Sequence, residues 1–299
     1  MPTNPDNAPR PVTKMKRLTL WRLKNQMLIG NALANIVGIT IARFISQRSI
    51  APPEAALTEL LNRIDQVFLP LSFLSVIVAI LIWERPIRHW LTRFYCGVVT
   101  HRDLEQNARR RLLNEPFFLI AADVIIWLIA AVVYTGIIAQ TTTSHVLLGR
   151  TFFQTIIIGV ITATTAFFVL EHMLQKNLAP LFFPEGGLYR IPKTLRIRIR
   201  TRMAALIAAV NLIPFLVFFL MVHGSYYVEG SPEQALALLR NSVYTNALFF
   251  IGLGVGLTAL VASNLTRPLN ETIKVLRRIR SGRLDGKVLV TTNDEIGYA

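Results

Sequence analysis

Six apolar blocks dominate this sequence and leave few folds open to it. They cover 27–44, 67–83, 117–138, 152–170, 204–222 and 243–263, and each approaches or reaches the roughly 20 residues that a helix needs to cross about 30 Å of hydrocarbon. The third, FFLIAADVIIWLIAAVVYTGII, and the fifth, AALIAAVNLIPFLVFFLMV, are the purest, whereas Asn31, Asn35 and Arg43 interrupt the first. With 53% of 299 residues hydrophobic and 16% charged, there are too few acidic residues to clothe six such helices as the core of a soluble protein. The blocks predict an all-α integral membrane protein with six transmembrane helices. The first block reads as a true span, because no small-residue cleavage site closes it as a signal peptide would require.

The basic residues orient the spans. Six lysines and arginines precede the first block, seven lie between blocks two and three, seven between four and five, and seven after block six. The remaining five, Arg43, Arg48, Arg63, Arg150 and Arg240, sit at the opposite ends. Basic residues concentrate in cytoplasmic loops, so both termini are expected inside, and the connections 46–66, 139–151 and 223–242 outside. This alternation also accounts for the net charge of +15 and excludes nucleic acid as a partner, since no zinc-finger spacing or helix-turn-helix region accompanies the charge.

Three regions follow from this: a cytoplasmic segment 1–26, a helical membrane domain 27–263, and a basic stretch 264–299. The first ten residues are polar and rich in Pro and Asn, a composition expected to be disordered. Two outer connections read as helices. SPEQALALLRNS offers Ser231 as a cap and Pro232 at the first helical position, and APPEAALTELLNRIDQ has the same form. WERPIRHWL and NLTRPLNETI follow blocks two and six, so Arg85-Pro86-Ile87 corresponds to Arg267-Pro268-Leu269. Blocks one to two and five to six are therefore expected to be divergent copies of one hairpin, with the outer helices as caps. Of the inner loops, HRDLEQNARRRLLNE reads as a helix entering block three, and Phe182, Phe183 and Tyr189 are placed at the inner headgroup surface.

Polar residues inside the blocks are candidate sites. Asp123 is the clear intramembrane carboxylate; in hydrocarbon it needs a partner, a proton or a polar interior. Asn31, Asn35, Asn211 and Asn246 are expected to share that interior, and Pro214 would free a carbonyl and kink the fifth span. Together they form either a ligand pocket or hydrogen-bonded glue between helices. The five histidines present no facing pair for haem and no third ligand for a metal, and the single cysteine, Cys96, allows no internal disulfide. No cofactor is expected in this chain. A small-molecule transporter is an alternative that the one proline-bearing span and the hairpin repeat allow.

The stretch after the last block carries the most specific signal. Leu265, Leu269, Thr272, Leu276 and Ile279 are spaced four, three, four and three, the seam of a coiled coil, with most of the basic residues off it. Pro268 opens this helix and Gly282 ends it. Leu284, Val288 and Val290 then lie in an extended connector. The segment resembles the HAMP linker of membrane receptors, in which two helices per subunit and a connector form a parallel four-helix bundle in a dimer. The resemblance implies that Pro268 starts the first helix and that Leu269, Leu276 and Ile279 pack in the bundle. It also implies that Gly282 and Leu284 form the glycine and following hydrophobe, that Val288 and Val290 are packing connector residues, and that Glu295 starts the second helix. It further implies a homodimer.

Only a few residues of the second helix are present, and the chain reads as the N-terminal portion of a longer protein. Six spans with small outer loops leading into this linker resemble the membrane-anchored class III adenylate cyclases of bacteria. That likeness implies a bacterial inner membrane location, a downstream catalytic domain in cis converting ATP to cyclic AMP, and Mg or Mn bound only in that absent domain. Histidine kinases and other receptors with the same linker are alternatives. The activating signal is not legible.

Overall fold

The computed structural model describes residues 14–47, 55–98, 101–141, 144–184, 186–188, 191–196, 198–225 and 232–281. Its elements are α1 (Lys14–Gln47), α2 (Ala55–Tyr95), α3 (Arg102–Ile138), α4 (His145–Met173), α5 (Ala179–Phe182), α6 (Ile199–Ile207), α7 (Ile213–Ser225) and α8 (Pro232–Arg280). Two π-helical turns interrupt the pattern: Leu174–Leu178 joins α4 to α5, and Ala208–Leu212 joins α6 to α7.

Among the described residues, five helical stretches are long and apolar enough to cross a membrane: Glu59–Tyr95, Arg102–Ile138, Leu147–Phe182, Ile199–Phe219 and Leu239–Thr266. This corrects the expectation of six. The exception is α1, whose sequence mixes Asn25, Gln26, Asn31, Asn35 and Arg43 with its apolar residues and opens on Lys14, Lys16, Arg17, Arg22 and Lys24. It nevertheless packs lengthwise on α4. Gly38 sits so close to Thr162 that a Cβ at Gly38 would meet Thr162 Oγ1 at 1.9 Å.

The central helix is α4. One buried cluster joins α1, α2 and α3 to the C-terminal half of α4 through Met27, Leu91, Leu112, Leu119, Ala166 and Leu170, with Phe182 of α5. A second joins α7 and α8 to it through Ile161, Phe168, Val217, Phe250 and Leu257. Ser144 caps it, its hydroxyl accepting the Leu147 N–H at 3.4 Å. Phe182 and Phe183 belong to the first cluster rather than to a headgroup surface: both are buried, and Phe182 lies 3.9 Å from the Trp90 ring, centroid to centroid. Tyr189 lies outside the described residues.

The outer helices expected from APPEAALTELLNRIDQ and SPEQALALLRNS are not separate caps. They are the outer ends of α2 and α8, which run unbroken for 41 and 49 residues. Pro232 does occupy the first helical position of α8, and Ser231 lies outside the described residues. Both helices also continue through their Arg-Pro pairs, so α8 does not restart at Pro268. A proline inside a helix deprives the carbonyl four residues earlier of its donor. At Pro86 that carbonyl belongs to Ile82, and Arg111 of α3 fills the deficit: its Nη1 donates to Ile82 O at 3.4 Å and to Trp83 O at 2.9 Å.

The Gly38 contact yields a stability prediction. Gly38→Ala is expected to lower the thermal midpoint in detergent, at about 1–3 kcal/mol for an overpacked contact. Gly136→Ala, where an added Cβ meets nothing within 4 Å, should leave it unchanged or slightly raised. Tryptophan fluorescence during heating reads both.

Candidate functional site at the inner ends of the helices

Near the last turn of α4, two consecutive side chains reach different helices. Glu171, buried, pairs with the equally buried Arg202 of α6, Oε1 to Nη2 at 2.5 Å. Next to it, His172 Nδ1 donates to Asn264 Oδ1 of α8 at 2.7 Å. The chain then widens into the π turn, and Gln175 Nε2 donates back to Glu171 Oε1 at 3.4 Å. Asn177 in the same turn donates to Gln26 of α1 at 2.9 Å. One short segment thus ties α1, α6 and α8 together. A small cavity opens beside it, lined by Pro116, Phe117, Phe167, Leu188, Glu171 and Arg202.

The entry to α6 is fixed from α3. Asn114 Nδ2 donates to Lys193 O at 3.0 Å, and its Oδ1 accepts the Leu195 N–H at 2.8 Å. This holds Lys193 at a φ of 60°, a left-handed conformation that a side chain seldom adopts without such support. The clamped groups sit six and four residues before α6 begins and so position the helix that delivers Arg202.

A second polar group lies between α1, α2 and α3. Arg88 Nε pairs with Glu84 Oε2 at 2.5 Å, and its Nη1 donates to Asn25 Oδ1 at 3.1 Å. Glu115 of α3, buried, lies against the Glu84 carboxyl.

Of the residues singled out in the sequence, Asp123 meets Asn31 and Asn35, which donate to its Oδ1 at 3.2 and 2.9 Å. The expected common interior does not extend to the others. Asn246 is buried at a different interface, donating to Ser242 O at 2.8 Å and to Met221 Sδ at 3.6 Å. Asn211 faces outward and donates to Ile207 O at 3.1 Å. Pro214 is buried at the start of α7, directly after the π turn that contains Val210, whose carbonyl the proline leaves without a helical donor. Leu269, Leu276 and Ile279 lie on α8 with their side chains 46%, 58% and 42% exposed. Pro268 lies within the continuous α8, and Gly282, Leu284, Val288, Val290 and Glu295 lie outside the described residues. Among the described residues no group of three or more His, Cys, Asp and Glu could hold a metal ion.

Glu171, Arg202, Asn264, Glu84 and Glu115 were not singled out from the sequence. The available signal was the position of carboxylates at the edges of apolar blocks, where burial demands a partner.

Residues 260–297 match the HAMP domain family model. No curated protein and no solved structure matches the chain. Asn264, the residue that His172 holds, therefore lies inside the HAMP match. The resemblance to adenylate cyclases does not hold: it rested on six spans, whereas five qualify among the described residues, and the family match covers the HAMP domain and no catalytic domain. What stands is a multi-span helical membrane protein whose last described helix runs into a HAMP match, an arrangement consistent with a signal-transducing receptor.

Breaking a buried ion pair by removing one partner typically costs about 3–5 kcal/mol. Glu171→Gln and Arg202→Met should each lose stability on that scale in denaturant unfolding from micelles, and the double variant should recover most of the loss. Additive losses in the double variant would mean that the pairing is not the source.

Proposed function

We propose that this chain is the membrane sensor and transmission region of a homodimeric receptor, with α8 as the moving output element and the α4 segment as its control point. The observation that carries the reading is the His172–Asn264 hydrogen bond, which joins the central helix to α8 inside the HAMP match. A change in the bundle that shifts or rotates the end of α4 pulls on α8 directly at that bond. The Glu171–Arg202 pair, one residue earlier, makes α6 move with it.

The basic loops support a cytoplasmic location for the ends of the helices that carry this junction. The start of α1 lies at the same level, since Asn25 meets Arg88 and Gln26 meets Asn177. The seam residues Leu269, Leu276 and Ile279, exposed on α8, support dimerisation through the linker. Asp123 with its two asparagines acts as a packing joint between α1 and α3, satisfying a carboxylate oxygen that hydrocarbon would otherwise penalise.

The test is a chimera in which residues 1–297 replace the membrane region and first HAMP segment of a receptor with a measurable output. His172→Leu and Asn264→Leu should each shift basal output by at least about fivefold, the lower range of an allosteric coupling, and the double variant should shift it no further than either single one. Leu276→Asp should abolish regulated output while the protein still inserts. Output unchanged in all of these variants would overturn the reading.

A further inference from the structure

The connector into α6 alternates. Leu195-Arg196-Ile197-Arg198-Ile199-Arg200 sets apolar and basic residues by turns, and an extended chain sends the two kinds to opposite sides. At Arg198, just before the helix, the backbone is extended, with φ −66° and ψ 148°. Lys193, Arg198 and Arg200 are exposed, and so is the apolar Leu195, at 57%. The Asn114 clamp on Lys193 O and the Leu195 N–H holds the backbone that presents these charges.

Topology accounts for basic residues on this side of the membrane, but not for how these are left. Arginines at the inner ends of α2 and α3 have carboxylates close by: Arg88 pairs with Glu84 at 2.5 Å and Arg109 with Glu105 at 2.6 Å. Lys193, Arg198 and Arg200 form no ion pair among the described residues. From Gly186 to Val228 the sequence contains no Asp or Glu. The first turn of α6 has neither an acidic residue nor a side-chain cap, although a helix start favours negative charge and opposes the positive charge that Arg198 and Arg200 bring to it. Three exposed cations and a helix start thus fall within the stretch 193–200 without an anion from the surrounding chain.

We propose that this stretch binds the headgroup of an anionic phospholipid. The span Ile199–Phe219 has 21 residues, about the length that crosses the hydrocarbon, so its start lies at the headgroups, where lipid phosphate is at hand. Leu195 decides between a lipid and a free phosphate ion. An exposed apolar side chain beside the cations is covered by the acyl region of a lipid and gains nothing from inorganic phosphate. The site goes beyond the receptor reading and does not rest on it, because binding is measured with no output domain attached. Through α6 it also bears on the junction described above, since the same helix delivers Arg202 to Glu171.

The test uses the whole chain carrying Cys96→Ser and Leu195→Cys, with a bimane fluorophore on the introduced thiol. It is placed in phosphatidylcholine bilayers with brominated phosphatidylglycerol or brominated phosphatidylcholine as quencher. Half-quenching is expected at a mole fraction of the anionic lipid at least about fivefold below that of the neutral one, the weight of one basic residue at an anionic surface. Lys193→Gln with Arg198→Gln and Arg200→Gln should bring the two lipids level, whereas Arg198→Lys with Arg200→Lys, which keeps the charge, should retain the preference. Arg22→Gln with Arg85→Gln and Arg102→Gln removes as many exposed charges from the same side and should retain it too. Equal quenching by both lipids in the parent chain, or a preference that survives the first triple variant, would overturn the site. A preference lost equally in both triple variants would also overturn it, because overall charge alone would then account for the attraction. Displacement of the anionic lipid by inorganic phosphate, but not by chloride at equal ionic strength, would overturn the lipid as the occupant.

Discussion

A carboxylate taken out of water must find a partner, and in this bundle that requirement fixes which helices belong together. Glu171 of α4 is held by Arg202 of α6, Asp123 of α3 by Asn31 and Asn35 of α1, and the Glu84–Arg88 pair of α2 reaches α1 through Asn25. Apolar packing in a membrane discriminates weakly between neighbours, because lipid tails are as apolar as leucine. The polar pairs supply the discrimination, since a wrong rotation of a helix that carries one strands it. Because α4 owns Glu171 and His172 and contributes to both apolar clusters, the rest of the bundle is arranged around it.

The π turn after α4 explains how one segment serves several neighbours. A π turn carries an extra residue and rotates the following side chains relative to those before it. Glu171 and His172, before the turn, address α6 and α8, while Asn177, within the widened turn, addresses α1. The second π turn, before Pro214, has a different origin: it absorbs the carbonyl that the proline ring displaces.

Much of this was legible in the residues. Apolar block length located the spans, and the capping pattern at Pro232 marked where α8 begins. The 3-4 spacing from Leu265 onward identified the HAMP segment. Three things were not legible. Hydropathy weighs residues one at a time, so a long helix such as α8 looked like an outer helix, a span and a linker, when the helix in fact continues past Pro268. The first block looked like a span because its apolar residues are contiguous enough, but its asparagines and flanking charge set it apart from the other five. Pairings such as Glu171 with Arg202 or His172 with Asn264 join positions 31 and 92 residues apart, and only the tertiary arrangement brings them together.

The apolar stretch Leu239–Thr266 has 28 residues, which at 1.5 Å per residue amounts to roughly 42 Å of helix, against a hydrocarbon layer of about 30 Å. A helix longer than the layer absorbs the excess by tilting, by projecting into the headgroups or by thickening the bilayer around it. Since α8 does not break before Arg280, whatever tilt the membrane part adopts is carried on into the part below it. Bilayer thickness thereby becomes one of the quantities that set the direction in which the linker leaves the membrane.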